Sequence, residues 1–164
     1  MSDMGQNINL HVSVDCVLIG FDGEHFSVLL VKQLGKQQEA ELNDMKLPGS
    51  LIYDDEDLDD AAKRVLNELT GLKNVKMMQF KAYGSKNRTR NPKDVLWLER
   101  FHRLDEKKID RIVTIAYLAL VKIDRKFEQL SSKYDAGWIP VDKVENLAFD
   151  HFQIMQDALA YIRH

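Results

Sequence analysis

The stretch that most constrains the fold runs from residue 48 to residue 72, PGSLIYDDEDLDDAAKRVLNELTGL. It joins a glycine turn, an acidic loop and a helix-forming segment. The carboxylates crowded into the loop repel one another unless a cation or the positive end of a helix dipole neutralises them. We therefore expect a helix to begin there. The crowded carboxylates are Asp54, Asp55, Glu56, Asp57, Asp59 and Asp60.

The segment that follows has the pattern of an amphipathic helix. Asp57 stands at the N-cap position, and Asp60 resembles the acidic half of a capping box. Gly71 provides the left-handed residue that commonly ends a helix. The sequence thus predicts a helix over residues 58–69, with one apolar face. That face consists of Leu58, Ala61, Ala62, Val65, Leu66 and Leu69.

Length and composition indicate one globular domain. A chain of 164 residues buries roughly two thirds of its unfolded surface without disulfides. A net charge of −3 gives no general attraction to nucleic acid. Residues 1–9 lack the apolar segment of a signal peptide, and no stretch reaches the ~18 apolar residues of a membrane span. We expect a cytoplasmic protein without membrane association, and a flexible segment at residues 1–9.

The rest of the chain predicts strands on both sides of the helix. Asp22-Gly23 links the first two strands in a hairpin, and residues 33–44 form a polar loop beside the site. Residues 147–163 predict a C-terminal helix capped by Asp150. These elements predict an α/β fold with a mixed sheet between helices. The predicted strands are residues 11–21, 26–32, 45–47, 75–83, 110–123 and a strand ending at 138–141.

Two single residues have a structural and a chemical interpretation. Cys16 lies in an apolar run with no feature that would lower its thiol pKa, so we predict a core residue rather than a nucleophile. His151 has no second histidine or cysteine at metal-ligand spacing, so a local hydrogen-bonding role is favoured over metal binding. Neither residue predicts a catalytic site by itself.

Residues 85–109 are the least familiar part of the sequence. Residues 85–93 form a loop with four basic side chains, in which Asn91-Pro92 is a plausible helix start, and a short amphipathic segment containing Trp97 follows. The loop could grip a phosphate and the indole could stack on a base. A solvated loop and a packed indole are favoured over these two functions. The basic residues are Lys86, Arg88, Arg90 and Lys93.

Residues 50–72 resemble the Nudix box, G-x5-E-x7-R-E-U-x-E-E-x-G-U, in which U is a bulky aliphatic residue. Three positions depart from it: Ser50 replaces the first glycine, Val65 the glutamate after the arginine, and Leu69 the second paired glutamate. The resemblance implies a Nudix-type α/β/α sandwich with a mixed sheet. The positions that match are Glu56, Arg64, Leu66, Glu68, Gly71 and Leu72.

In the Nudix family, the helix glutamates hold the divalent cations that bridge a diphosphate and help activate water. Mg²⁺ prefers about six oxygen ligands at roughly 2.1 Å, so two aliphatic replacements remove both charge and ligands. Glu56 and Glu68 are left as candidates for a weak Mg²⁺ site, and the domain could equally use no cofactor. Arg64 is expected to pair with Asp60 or Glu68.

Other segments resemble Nudix-related transcriptional regulators of NAD and sugar metabolism: residues 61–72, IAYLAL at 115–120 and AFDH at 148–151. In that subgroup, a domain whose box has lost glutamates senses a small ligand such as ADP-ribose or a sugar, and a winged helix that follows binds DNA. The resemblance covers nearly the whole chain except residues 85–109, which look like an insertion. It implies a homodimer.

Three functions remain open at this point. The first is a catalytically impaired sensor that binds a small phosphorylated or sugar ligand with Arg64, Glu56 and Glu68. The second is a Mg²⁺-dependent hydrolase of a nucleoside diphosphate linked to another moiety, and the third is a protein-association domain. The missing glutamates rank the sensor first, because electrostatic losses impair catalysis more than binding. With the predicted helix ending the sequence at His164, we expect no DNA binding by this chain alone, as either a sensor domain or a stand-alone protein.

Overall fold

A computed structural model describes residues 7–32, 45–88 and 111–163 of the chain. Several sequence predictions therefore lie outside the described residues. They are the polar loop at 33–44, the helix start at Asn91-Pro92, the amphipathic segment with Trp97, and the positions of Arg90 and Lys93.

The described strands form one mixed sheet built around the first strand. Strand β1 pairs in parallel with β6, from Val12 opposite Val113 to Phe21 opposite Lys122. The other edge of β1 serves two antiparallel partners in succession, β4 and then β2. Strands β3 and β7 pair with β2, and β5 pairs with β6. The strands are β1 (Ile8–Phe21), β2 (Phe26–Lys32), β3 (Met45–Lys46), β4 (Gly49–Tyr53), β5 (Met78–Tyr83), β6 (Val113–Lys122) and β7 (Gly137–Pro140).

Two helices cover the two faces of this sheet. Helix α1 (Leu58–Thr70) packs with Val14, Cys16 and Leu18 of β1 in one buried cluster. Helix α3 (His151–Ile162) packs with Val17 and Ile19 in a second cluster. Because side chains alternate between faces along a strand, β1 is buried on both sides. This arrangement confirms the predicted α/β/α sandwich. The short helix α2 (Arg125–Glu128) and a 3-10 turn (Val141–Lys143) precede α3.

The element boundaries correct several predictions. Strand β1 begins at Ile8, which pairs with Tyr53, so the expectation of a flexible segment is wrong for Ile8 and Asn9. Strand β4 was not predicted. Its first residue, Gly49, was assigned to a turn, and the residues after it were assigned to the acidic loop. Helix α2 was not predicted, since one helical turn has too few residues to show a period.

Helix α1 begins at Leu58 as predicted and ends at Thr70, one residue beyond the predicted end, but its N-terminal cap differs from the prediction. Asp57 occupies the N-cap position without a side-chain cap hydrogen bond, so the predicted capping box with Asp60 is wrong. Gly71 has a φ of 84°, in the left-handed region, and its N–H donates to the Asn67 carbonyl at 2.8 Å. This C-terminal cap confirms the role predicted for Gly71.

Candidate functional site

The charged residues that match the Nudix box meet at the guanidinium of Arg64, on α1. Its Nε donates to both carboxylate oxygens of Glu56, at 3.2 and 3.0 Å, and its Nη2 donates to Glu56 Oε1 at 2.6 Å. Its Nη1 donates to Glu68 Oε1 at 3.0 Å. We call Glu56, Arg64 and Glu68 the box cluster. The predicted pairing of Arg64 with Glu68 is confirmed, and Glu56 is its main partner.

Strand β4 completes the surroundings of Arg64. The guanidinium lies 4.0 Å from the centre of the Tyr53 ring and donates to the Leu51 carbonyl at 3.3 Å. The Tyr53 N–H also donates to Glu56, at 2.9 Å. Although partial burial raises the pKa of Glu56, its hydrogen bonds to Arg64 and Tyr53 lower it further, so the net shift is downward. Glu56 is thus an ionised partner of the arginine at neutral pH.

This bonding bears on the Mg²⁺ site predicted at Glu56 and Glu68. Both carboxylates bond to the same guanidinium: Glu56 accepts from Arg64 at both of its oxygens, and Glu68 accepts at Oε1. Within the described ranges, no group of three or more His, Cys, Asp or Glu side chains is placed to hold a metal ion. Arg64 therefore competes with a cation for these carboxylates, and the present arrangement does not form a Mg²⁺ site. A weak site stays a prediction that requires Arg64 to move.

The two positions that lost glutamates face the protein interior. Val65 is 0% exposed and Leu69 is 6% exposed, and both belong to the cluster between α1 and the sheet. Partly buried residues from the segment after β6 pack against the same cluster. An apolar core therefore surrounds these side chains where the family has carboxylates. The packing residues from that segment are Phe127, Leu130, Tyr134 and Trp138.

A second group of charged residues lies inside the fold, and the sequence reasoning missed it. Asp15 is 4% exposed on β1 and accepts a hydrogen bond from the Thr114 hydroxyl at 2.6 Å. His151 Nε2 lies 3.3 Å from the other Asp15 oxygen. The Leu47 N–H donates to His151 Nδ1 at 3.0 Å, which places the ring proton on Nε2. Asp15, Lys46, Thr114 and His151 are called the buried cluster.

Lys46 supplies the positive charge of the buried cluster. Its Nζ donates to the carbonyls of Leu47 at 3.1 Å and Gly49 at 2.8 Å. Burial lowers the pKa of Lys46 to about 8, although the Asp15 carboxylate opposes that shift. Gly49 is required here, because a Cβ at this position would overlap Asp15 Oδ1. Burial also raises the pKa of Asp15, but His151, Lys46 and Arg88 lower it well below its usual range.

Arg88 ties the basic loop to α3. Its side chain is 3% exposed, and it holds the Asp150 carboxylate with two hydrogen bonds of 2.9 and 2.7 Å. It also donates to the Ile112 carbonyl at 2.7 Å. The solvated-loop interpretation is therefore wrong for Arg88. Asp150 stands at the N-cap of α3 but makes no side-chain cap bond, because its oxygens accept from Arg88.

Two predictions for single residues are confirmed. Cys16 is 0% exposed, its Sγ lies 3.6 Å from the Ala62 carbonyl, and burial raises the pKa of its thiol. His151 has a hydrogen-bonding role, although its partners Leu47 and Asp15 are distant in the chain rather than local. The sequence carried one signal of the buried cluster. Asp15 is a single carboxylate within the apolar run VSVDCVLIGF, and a charge buried in such a strand requires partners.

The family is decided by the match to the NUDIX domain model, which spans residues 9–158. The chain belongs to the Nudix family. A comparison with curated protein sequences gave no match. The chain is nevertheless similar in structure to several solved proteins.

No helix in the described residues has the length and apolar character needed to cross a membrane.

Among solved structures, the Nudix domain of Shewanella oneidensis NrtR complexed with ADP ribose is 25% identical to this chain. The TM-score is 0.67, and the alignment covers 94% of this chain and 89% of that one. NrtR from the same organism complexed with a 27mer DNA is 26% identical, with a TM-score of 0.68. That alignment covers 92% of this chain and 61% of NrtR, so this chain spans less than two thirds of that protein.

A third structure shows the shared fold alone. It is a bifunctional NMN adenylyltransferase/ADP ribose pyrophosphatase from Francisella tularensis, complexed with AMP and a Mn ion. It is 18% identical, with a TM-score of 0.63, and the alignment covers 94% of this chain and 42% of that one. The Nudix fold of this chain is thus found both in NrtR and in a protein with a pyrophosphatase activity.

Proposed function

We propose that this chain is a catalytically impaired Nudix domain that senses a small ligand of the ADP-ribose type for a transcriptional regulator. The observation that carries the proposal is the burial of Val65 and Leu69 in the hydrophobic core. The resemblance to the box assigns metal-binding glutamates to these two positions. Here the chain uses both side chains to pack α1 against the sheet.

The loss of these carboxylates affects catalysis more than binding. Cleavage of a phosphoanhydride depends on groups that stabilise charge developing in the transition state, and removing one such group commonly costs about 100-fold or more in rate. A binding pocket needs apolar walls and a few polar anchors. The box cluster retains such anchors, and we assign Arg64, Glu56 and Glu68 to the surroundings of the ligand.

The similarity to NrtR supports the ligand class. The Nudix domain of that protein, a Nudix-related transcriptional regulator, binds ADP ribose. NrtR also binds DNA, but this chain matches only 61% of the DNA-bound chain. We therefore propose DNA recognition for a larger regulator and not for residues 1–164 alone. A homodimer in the cytoplasm is part of the same proposal and stays a prediction.

A second function, Mg²⁺-dependent hydrolysis of a nucleoside diphosphate linked to another moiety, is favoured by one observation. Glu56 and Glu68 converge on a single guanidinium. A ligand phosphate that attracted Arg64 would release both carboxylates together, and a divalent cation could then bind between them. The retained glutamates keep this alternative open to experiment, although the two apolar replacements rank it second.

Thermal unfolding with a panel of ligands tests the sensor function. ADP-ribose, nucleotides and pentoses should be compared in the absence of Mg²⁺, so that turnover does not deplete them. A ligand at 100 times its dissociation constant stabilises the folded state by ~2.7 kcal/mol, which corresponds to a rise of several degrees in Tm. We expect such a rise with ADP-ribose. An unchanged Tm across the whole panel would contradict the proposal.

A further inference from the structure

A cleft of about 650 Å³ lies along α1 and shares Arg64 with the box cluster, so a ligand bound in the cleft lies beside that cluster. It opens between one side of the helix and the segment 73–77, and Tyr117 of β6 also lines it. Arg64 reaches its edge, whereas Glu56 and Glu68 do not line it. Its volume falls within the range of ~300–1,000 Å³ found for small-molecule sites.

The cleft carries an excess of positive charge. Lys63, Lys73 and Lys76 line it, and none of the three forms an ion pair with a carboxylate in the described part of the chain. The charge of Arg64 is balanced by the box carboxylates, so the three lysines are the uncompensated cations. The lining carboxylate, Asp59, accepts a short hydrogen bond from the Tyr117 hydroxyl at 2.6 Å.

The cleft also has polar anchors and an apolar wall. Tyr117 accepts a hydrogen bond from Gln79 at 3.3 Å, and burial together with Asp59 raises its pKa to about 12, so the phenol stays neutral. The apolar lining residues are Ala62 on α1 and Val75 and Met77 in the segment 73–77. Asn74 holds a left-handed backbone with a φ of 58°, a conformation that asparagine tolerates better than most residues.

We propose that this cleft binds the phosphate groups of the ligand, with Lys63, Lys73 and Lys76 as the contacting cations. The ligand class, a nucleoside diphosphate of the ADP-ribose type, is taken from the proposed function: the lysines match its phosphates, and Ala62, Val75 and Met77 supply the apolar part of the lining. Ammonium groups here supply the positive charge that divalent cations supply in a metal-dependent site. The identity of the ligand rests on the proposed function, whereas the location of the phosphate site rests on the cleft itself.

Charge-matched variants distinguish a loss of ligand affinity caused by the cleft from one caused by the lower net charge of the protein. The test variant carries Lys63→Gln, Lys73→Gln and Lys76→Gln. The control variant carries glutamine at three lysines that are exposed and do not line the cleft: Lys122, Lys133 and Lys143. Both variants lose the same charge. Calorimetric titrations with ADP-ribose and with inorganic pyrophosphate, without Mg²⁺ and at low and high salt, measure the dissociation constants.

The cleft predicts that the test variant binds ADP-ribose about tenfold or more weakly and that the control changes by less than about twofold. Wild-type binding should also weaken with salt. Unchanged affinity in the test variant would overturn the assignment of phosphate binding to the cleft and would leave the proposed function intact. Pyrophosphate binding that requires the three lysines, without ADP-ribose binding, would support the cleft and contradict the proposed function. Failure of both probes to bind the wild-type chain would contradict both.

Discussion

The box cluster and the buried cluster are both built from opposite charges, but they differ in burial and in how the sequence reveals them. Glu68 of the box cluster is 54% exposed, whereas every member of the buried cluster is at most 4% exposed. The box cluster matches a family pattern and is bonded within one short segment. The buried cluster matches no pattern and joins β1, β3, β6 and α3. The charged residues that match the family's box are therefore not the charged residues buried between β1, β3, β6 and α3.

The largest loss of unfolding free energy should come from placing glutamate at the two box positions that lack it, Val65 and Leu69. Val65→Glu with Leu69→Glu would place two carboxylates in the apolar core, and we expect a loss of about 4 kcal/mol or more in unfolding free energy. Urea denaturation measures it. Lys63→Glu with Asn67→Glu has the same spacing outside the core and should cost less than about 1 kcal/mol. A folded core variant that gained Mg²⁺ binding would show that these positions face a metal site.

Removing the carboxylate of the buried cluster should have the next largest effect. Asp15→Asn leaves Lys46 buried without its counterion, and breaking a buried pair in this way commonly costs about 3 kcal/mol. Asp142→Asn, at an exposed position, is the control and should change the unfolding free energy by less than about 0.5 kcal/mol. Equal stability of the two variants would mean that Asp15 does not stabilise the fold through its charge.

The burial of Val65 and Leu69 could be predicted from the sequence, whereas the buried cluster could not. The periodicity of residues 58–69 placed Val65 and Leu69 on the buried face of a helix, and the hairpin and C-terminal helix followed from equally local patterns. The buried cluster depends on pairs far apart in the chain. Thr114 and Asp15 are separated by 99 positions, and Leu47 and His151 by 104. No local period encodes such pairs.

The hydrogen bonds of the box cluster could likewise be predicted only in part from the sequence. The four-residue spacing of Arg64 and Glu68 predicted their pairing. The stronger bond to Glu56 depends on how β4 and the acidic loop fold back over α1, and β4 was not predicted. Matching the box therefore named the residues of the cluster, whereas the bonds that commit Glu56 to Arg64 required the fold.

The unfolding free energy at alkaline pH should depend on the buried cluster, through Lys46. Lys46 has a folded-state pKa of about 8 against an ordinary value of 10.5, so between these values the unfolded chain binds a proton that the folded chain lacks. Stability from this group therefore rises with pH in that interval, by about 1 kcal/mol per pH unit. Lys46→Met should abolish this rise, measured by urea denaturation at pH 8 and pH 10. An identical rise in the variant would show that Lys46 is not its source.

The smallest effect should separate the two carboxylates of the box cluster. Glu56→Gln removes a charged partner that is only 15% exposed and should cost about 1–2 kcal/mol. Glu68→Gln, at an exposed position, should cost less than about 0.5 kcal/mol. Thermal unfolding of both variants gives the comparison. A larger cost for Glu68→Gln would mean that Glu68, rather than Glu56, is the main partner of Arg64.

The central claim is that this Nudix domain binds its ligand without cleaving it. The most direct measurement is to incubate the purified chain with ADP-ribose and Mg²⁺ and to quantify AMP by chromatography. We expect ADP-ribose to be recovered intact, because Val65 and Leu69 leave the box without two of its carboxylates. AMP formation near ~1 s⁻¹, within the ordinary range of enzymes, would contradict it.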